Sequence, residues 1–291
     1  MQNSDLLQPF LFNETPIKGN IAQLNSTYTM ALAHQALPIV LKKALGELMA
    51  ASALLTATLK MDGAMVIQIQ TTGQLKLLVV ECSSNLEMRA TAKWDGDIAD
   101  NADFLLLISS GQCVITLDPK GQRPYQGIVP IEGENIATML ENYMLRSQQI
   151  DTKLWLSCDG ERVGGLMLQK LPEDQLVDAD AWNRVVTLAD TITGTELISN
   201  SAERIITDLF HEEDVRVFDN RSLRFYCKCT RAGVASMLQM LGKDEVDSII
   251  AEQNQVKINC DYCNKEYLFD AVDAASLFTD NEVVKASKAI H

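Results

Sequence analysis

The chain has 291 residues, 47% of them hydrophobic, which is enough for two domains and a sizeable core. Its formal net charge is −14, and no region is basic: residues 1–172 carry −4, residues 173–225 carry −7 and residues 227–291 carry −3. That balance disfavours a nucleic-acid partner everywhere. Met1 to Phe12 has no basic residue and no secretory pattern, and the longest uncharged apolar helical stretch, Leu48 to Leu59, is too short to span a bilayer. The expectation is a soluble, cytoplasmic protein without a membrane partner. Asn13-Glu14-Thr15 and Asn25-Ser26-Thr27 match the glycosylation pattern, but without a secretory route they count as chance matches.

Ile21 to Leu32, with Ser26 and Thr27 inside, carries mixed strand and helix signals. Pro38 suits a helix first turn. Behind it Leu41, Leu45, Leu48, Ser52, Leu55 and Leu59 recur at three- and four-residue steps among many alanines, which predicts a broadly buried helix ended by Asp62-Gly63. Alternation then predicts strands over Met65–Gln70, Leu75–Cys82 and Glu87–Trp94, with a turn at Thr71–Gln74. Cys113–Leu117 and Gln126–Val129 continue an antiparallel meander. Glu134–Gln149 reads as a helix with Ile136, Leu140, Tyr143 and Met144 on one face. Lys153–Cys158 and Val163–Leu171 form a hairpin-like pair. The expected fold class is α+β, with a core domain over residues 1–172.

Residues 173–225 are acidic and helical in pieces. Leu176, Trp182, Val185, Val186, Leu188 and Ala189 mark one piece, and Ala202–His211 another. So much like charge makes these helices marginal alone and dependent on docking. His211-Glu212-Glu213-Asp214 lacks a second histidine at a metalloprotease spacing and reads as a solvated helix end. Two strand-like pieces, Val215–Phe218 and Leu223–Cys227, open the last module, whose domain is placed at 226–291. Helices at Arg231–Leu241 and Asp244–Gln253, strands at Val256–Ile258 and Lys265–Phe269, and a short helix from Asp270 follow.

Only His34 and His291 remain as further histidines, so nucleophilic triads have little material, and no phosphate-binding glycine motif occurs. Cys82, Cys113 and Cys158 lie in apolar strand runs and read as buried small hydrophobes. The other four cysteines are different. Cys227-Lys228-Cys229 and Cys260-Asp261-Tyr262-Cys263 each present two sulfurs to one point, and two such pairs make a tetrahedral site that zinc accepts. Arg224, Lys228, Arg231, Lys257 and Lys265 lie close in sequence and favour thiolate over thiol. Structural zinc, a redox switch that ejects metal, and coincidental unpaired cysteines all remain open on spacing alone.

Phe225-Tyr226-Cys227-Lys228-Cys229, Glu245–Glu252 and Cys260–Phe269 closely resemble the redox-regulated bacterial holdase chaperones of the thirty-three-kilodalton heat-shock family. Upstream, Leu54–Lys60, Tyr125–Val129, Arg146–Gln149 and His211–Val215 resemble motifs of the same family, so the likeness covers essentially the whole chain. Arg123-Pro124-Tyr125 departs slightly from the family pattern.

The resemblance implies a chaperone rather than an enzyme, with no ATP requirement and a role in oxidative stress. Zinc would sit on Cys227, Cys229, Cys260 and Cys263 in the inactive reduced form. Oxidation would pair Cys260 with Cys263, expected first, and Cys227 with Cys229; zinc would leave and the linker would melt. The strained C-x-C disulfide would be readily reduced again. Implied partners are unfolding client proteins, a second copy on activation, and ATP-dependent chaperones that receive the clients. The competing readings are a zinc-stabilised interaction module without redox switching and a thiol–disulfide oxidoreductase.

Overall fold

The structure is a computed structural model, and it describes residues 5–13, 15–172, 178 and 180–286. Glu14, Leu176 and His291, named above, lie outside the described residues. The chain divides into two compact units, Met1–Tyr226 and Cys227–His291.

The first unit contains two six-stranded sheets. One has the order β10-β1-β2-β9-β8, from β1 (Leu6–Phe12), β2 (Ile17–Leu24), β8 (Thr152–Cys158), β9 (Val163–Lys170) and β10 (Val215–Val217), with β11 (Arg221–Ser222) also pairing β1. The other runs β12-β5-β4-β3-β6-β7, from β3 (Gly63–Thr71), β4 (Leu75–Ser83), β5 (Glu87–Trp94), β6 (Gly111–Pro119), β7 (Tyr125–Val129) and β12 (Arg224–Phe225). The expected meander is here as β3-β4-β5, with β6 and β7 added on the far side of β3. All pairings are antiparallel except β12 with β5. Val215–Phe218 and Leu223–Cys227 were expected to open the cysteine module. Their strands instead complete the two sheets of the first unit.

Helix α1 (Ser26–Leu32) follows β2 after a one-residue break, so the mixed signals of Ile21–Leu32 resolve into a strand and then a helix. The Asp5 carboxylate accepts from the backbone N–H groups of Asn25, Ser26 and Thr27, taking up donors that open the helix. Helix α2 (Ile39–Thr56) packs against both sheets. It is buried around most of its girth, as an alanine- and leucine-rich sequence permits. Pro38 is the residue before the first turn, and the helix ends at Thr56, short of the predicted Asp62-Gly63 stop. Gly46 lets α2 approach β8, because a Cβ there would meet Cys158 Sγ at 2.5 Å. The large core forms around α2, with Leu41, Leu45, Leu48, Ile67, Leu78, Val80 and Met167 at its centre.

A short helix α3 (Phe104–Ile108), capped by Asp103, precedes β6. The predicted helix over Glu134–Gln149 is shorter: α4 (Ile136–Tyr143) begins at Asn135, whose side chain accepts from Thr138 N at 2.8 Å. Its continuation, Met144–Gln148, widens to a π-helical turn before Gln149 turns left-handed at φ 56°.

The acidic segment supplies α5 (Ala181–Ala189), α6 (Gly194–Ser199) and α7 (Ala202–Phe210). They cover the face of the first sheet turned away from α2. Phe10, Phe12, Ile17, Ile21, Leu166 and Leu168 from the strands meet Val185, Leu197, Ile205, Ile206 and Phe210 from the helices. Docking is thus how these polar, charged helices bury their narrow apolar stripes. Glu213 is not solvated as expected: its carboxylate takes the Arg184 guanidinium at 2.7 Å, and Arg184 also reaches Asp178 at 2.9 Å.

The second unit has α8 (Arg231–Leu241), α9 (Lys243–Gln253), the hairpin of β13 (Gln255–Asn259) and β14 (Glu266–Asp270), and α10 (Ala271–Ala286). Its buried apolar core consists of Leu238, Val246, Val256, Tyr267, Phe269 and Ala274. Among the described residues, no helix is long and apolar enough to cross a membrane.

Candidate metal centre

The two cysteine motifs sit on differently built turns. Cys227-Lys228-Cys229 leads directly into α8. Thr230 caps that helix by accepting from Gly233 N at 3.0 Å, which fixes the backbone just after Cys229. The Cys229 N–H donates back to Cys227 Sγ. The second motif closes the β13–β14 hairpin. Cys260 N donates to Lys265 O at 3.0 Å and Asn264 N to Cys260 O at 2.8 Å. Asn264 turns left-handed at φ 54°, a conformation asparagine tolerates, and its Oδ1 accepts from Asn259 Nδ2 at 2.9 Å. The Lys265 N–H then donates to Cys263 Sγ. Both motifs therefore direct a backbone donor at one of their own sulfurs.

These turns bring together all four cysteines singled out in the sequence. Their sulfurs lie within 4.8 Å of one another, with Cys227 and Cys260 at 3.6 Å and Cys229 and Cys263 at 3.4 Å. A tetrahedron with metal–sulfur bonds of about 2.3 Å has sulfur–sulfur edges of roughly 3.8 Å. The observed spacings surround that value, and the cluster contains neither histidine nor carboxylate. A soft, all-sulfur donor set of this size fits a thiophilic cation. Both of these contacts run between the motifs.

The electrostatics point the same way. Burial pushes the Cys227 thiol up, and pushes Cys263 up to about 12. Burial would raise Cys229 too. The Tyr267 hydroxyl, which donates to its sulfur at 3.2 Å, outweighs that together with the neighbouring thiols and holds Cys229 at about 7. Without a cation, burial makes Cys227 and Cys263 resist ionisation, while Cys229 gives up its proton more readily. A bound cation would ease that resistance.

Tyr267 is the participant that spacing does not reveal. It alternates with Phe269 on the buried face of β14, so its position reads as core. Only the fold shows its hydroxyl reaching the cluster. The nearby cations have partners of their own. Arg231 stacks on the Phe269 ring at 4.1 Å and binds Asp273 and the Leu268 carbonyl. Lys257 pairs with Glu266, Lys265 lies over the Tyr267 ring, and Arg224 pairs with Glu87 in the first unit. These four are committed to packing and ion pairs.

The remaining cysteines are buried thiols outside this cluster. Burial pushes Cys82 and Cys113 up to about 12 and raises Cys158 as well, which leaves them poor nucleophiles at neutral pH.

Residues 5–270 match the family model described as "Hsp33 protein". The chain is 52% identical to the 33 kDa chaperonin of Methylobacillus flagellatus over the full length of both chains. It is 46% identical to that of Chromobacterium violaceum, over 100% of this chain and 99% of the relative. Among solved structures it is similar to the 33 kDa chaperonin (heat shock protein 33 homolog) of Thermotoga maritima, with a TM-score of 0.83 at 17% identity, covering 96% of this chain and 99% of that one. The last likeness supports the fold, and the near-complete sequence matches carry the family: this chain belongs to the Hsp33 family, a family of chaperones rather than enzymes.

Proposed function

We propose that this protein is a redox-switched, ATP-independent holdase that captures unfolding proteins in the cytoplasm under oxidative stress. The observation that carries this reading is the convergence of four half-buried thiols on a unit with six buried apolar residues among those described. So small a core draws its stability from what joins those sulfurs.

Cys227, Cys229, Cys260 and Cys263 are assigned as ligands of one zinc ion in the reduced form. When bound, zinc supplies cross-linking and charge neutralisation. Oxidation by hydrogen peroxide then takes two electrons from each pair of thiolates. One S–S bond forms, the O–O bond breaks, and with two protons taken from solvent two waters leave. The pairs Cys260–Cys263 and Cys227–Cys229 follow the family resemblance. Disulfide sulfurs are poor ligands, so the metal is released. The second unit loses its cross-link and the linker helices α5–α7 undock. Undocking bares Phe12, Ile21, Leu166 and Leu168 on the sheet and Ile205, Leu209 and Phe210 on the helices. Client segments bind there. A second copy associates in the active form, and clients pass to ATP-dependent chaperones.

Light scattering of a thermally aggregating client tests this, with metal content measured in parallel. Oxidised protein is expected to suppress aggregation. Reduced, zinc-loaded protein is not, and dithiothreitol with zinc is expected to reverse the effect. Equal suppression by both forms would favour a zinc-stabilised interaction module without a switch. Protection by neither would remove the chaperone mechanism.

A further inference from the structure

Helix α6 lies over a single row of residues that crosses three strands. Gln23 on β2 is in register with Gly164 on β9, and Gly164 is in register with Ser157 on β8. Register partners point to the same face of a sheet, here the face covered by the linker helices. Each residue of the row meets a different part of α6. Ser157 supports the start: a Cβ on Gly194 would sit 2.7 Å from its Oγ. Gly164 lies under the middle, where a Cβ would fall inside the contact distance of the Leu197 carbonyl oxygen. Gln23 holds the end, its Nε2 donating to Asn200 O at 2.7 Å and to Leu197 O at 3.4 Å.

The chemistry of the row is unusual for a buried sheet face. Its central position has no side chain, so the backbone of α6 comes down onto the backbone of β9. Gln23 is buried, yet its Oε1 has no hydrogen-bond partner among the described residues. A buried amide left half satisfied is costly, and its remaining bonds satisfy carbonyls that a helix end leaves unpaired. Helix α6 itself has six residues and one buried apolar side chain, Leu197. That is too little to hold it down by burial alone.

We propose that Ser157, Gly164 and Gln23 form a cross-strand dock for α6, and that the fit of α6 in this dock sets the threshold at which the linker layer releases. The proposal rests on the holdase reading and adds the residues that regulate it. Gln23 and Gly164 are positioning residues: they act on clients only through α6.

The test uses the full-length, reduced, zinc-loaded protein. Hydrogen exchange is followed at the amides of α6 and, as a folding control, at those of α2. Gly164→Ala should speed exchange in α6 at least tenfold while α2 keeps its protection, and Gln23→Leu should act in the same direction. Unchanged α6 exchange in Gly164→Ala and Gln23→Leu overturns the dock. Client aggregation is then measured on the same samples. Released α6 with suppression of aggregation in the reduced state supports dock and holdase together. Released α6 without suppression leaves the dock standing and overturns the link between linker release and client binding.

Discussion

The two units of this chain are stabilised on different terms. The first surrounds an 18-residue helix with two sheets and buries side chains on both faces of one of them. The second has six buried apolar residues among those described and places four sulfurs beside them. A core of the first kind holds itself together through area removed from water. A core of the second kind would be conditional under the proposed function, because a metal held by those sulfurs could be withdrawn by chemistry at them. The proposed switch would then separate a platform that persists from a part that gives way.

Metal removal should break this comparison most sharply. Structural zinc contributes on the order of 10 kcal/mol in small domains. A chelator that strips the metal is expected to abolish exchange protection across α8, α9 and the β13–β14 hairpin while α2 keeps its own. Peptide-resolved hydrogen exchange reads both units at once, and simultaneous loss in α2 would contradict the division. Next in size is Leu48→Ala, which leaves a cavity beside α2 and should cost the first unit about 2–5 kcal/mol. Urea unfolding followed by exchange should show the second unit unaffected.

Glu47 offers a smaller effect confined to the first unit. Burial raises its carboxyl to about 7, against an opposing pull from Lys43. The folded state therefore holds this proton more tightly than the unfolded chain. The associated stability is fully present below the unfolded value near 4.5 and is lost as pH rises through about 7. At most it amounts to about 3 kcal/mol. Glu47→Gln is expected to flatten that part of the melting temperature against pH, and an unchanged slope would assign it to other groups. Smallest is Tyr267→Phe, which removes the hydroxyl donated to Cys229 Sγ. Loss of such a supporting bond typically weakens metal binding tenfold or more. Competition with a coloured chelator should show it, with the fold of the second unit retained.

The parts of the molecule that sequence exposes and hides differ for physical reasons. The cysteine motifs are legible because a metal cluster constrains spacing over a few residues. The strands β3 to β5 and helices α8 and α9 are legible because their periodicity is local. Strand β1 is not: Leu6–Phe12 is apolar at almost every position and contains Pro9, since the sheet is covered on both faces and alternation disappears. Helix α6 is too short to show a period. Strands β10 to β12 stand next to the first cysteine motif in sequence, so proximity draws them into the wrong module; only long-range pairing with β1 and β5 places them. Tyr267 is hidden because a core tyrosine and a sulfur-binding tyrosine have the same pattern until the hydroxyl's neighbour is known.

Those same returning strands have a consequence for how the linker layer moves. Strand β9 ends at Lys170 and β10 begins at Val215, and both lie in one sheet. The segment carrying α5–α7 is therefore a loop pinned at both ends, like a strap buckled on either side. Lifting it off does not set a free chain end loose. The strap stays within reach of its own binding face, so it competes for that face at a fixed local concentration independent of how much protein is present. Under the proposed function, each client would compete with a segment that never diffuses away, and reclosure would be a first-order event whose rate dilution leaves untouched.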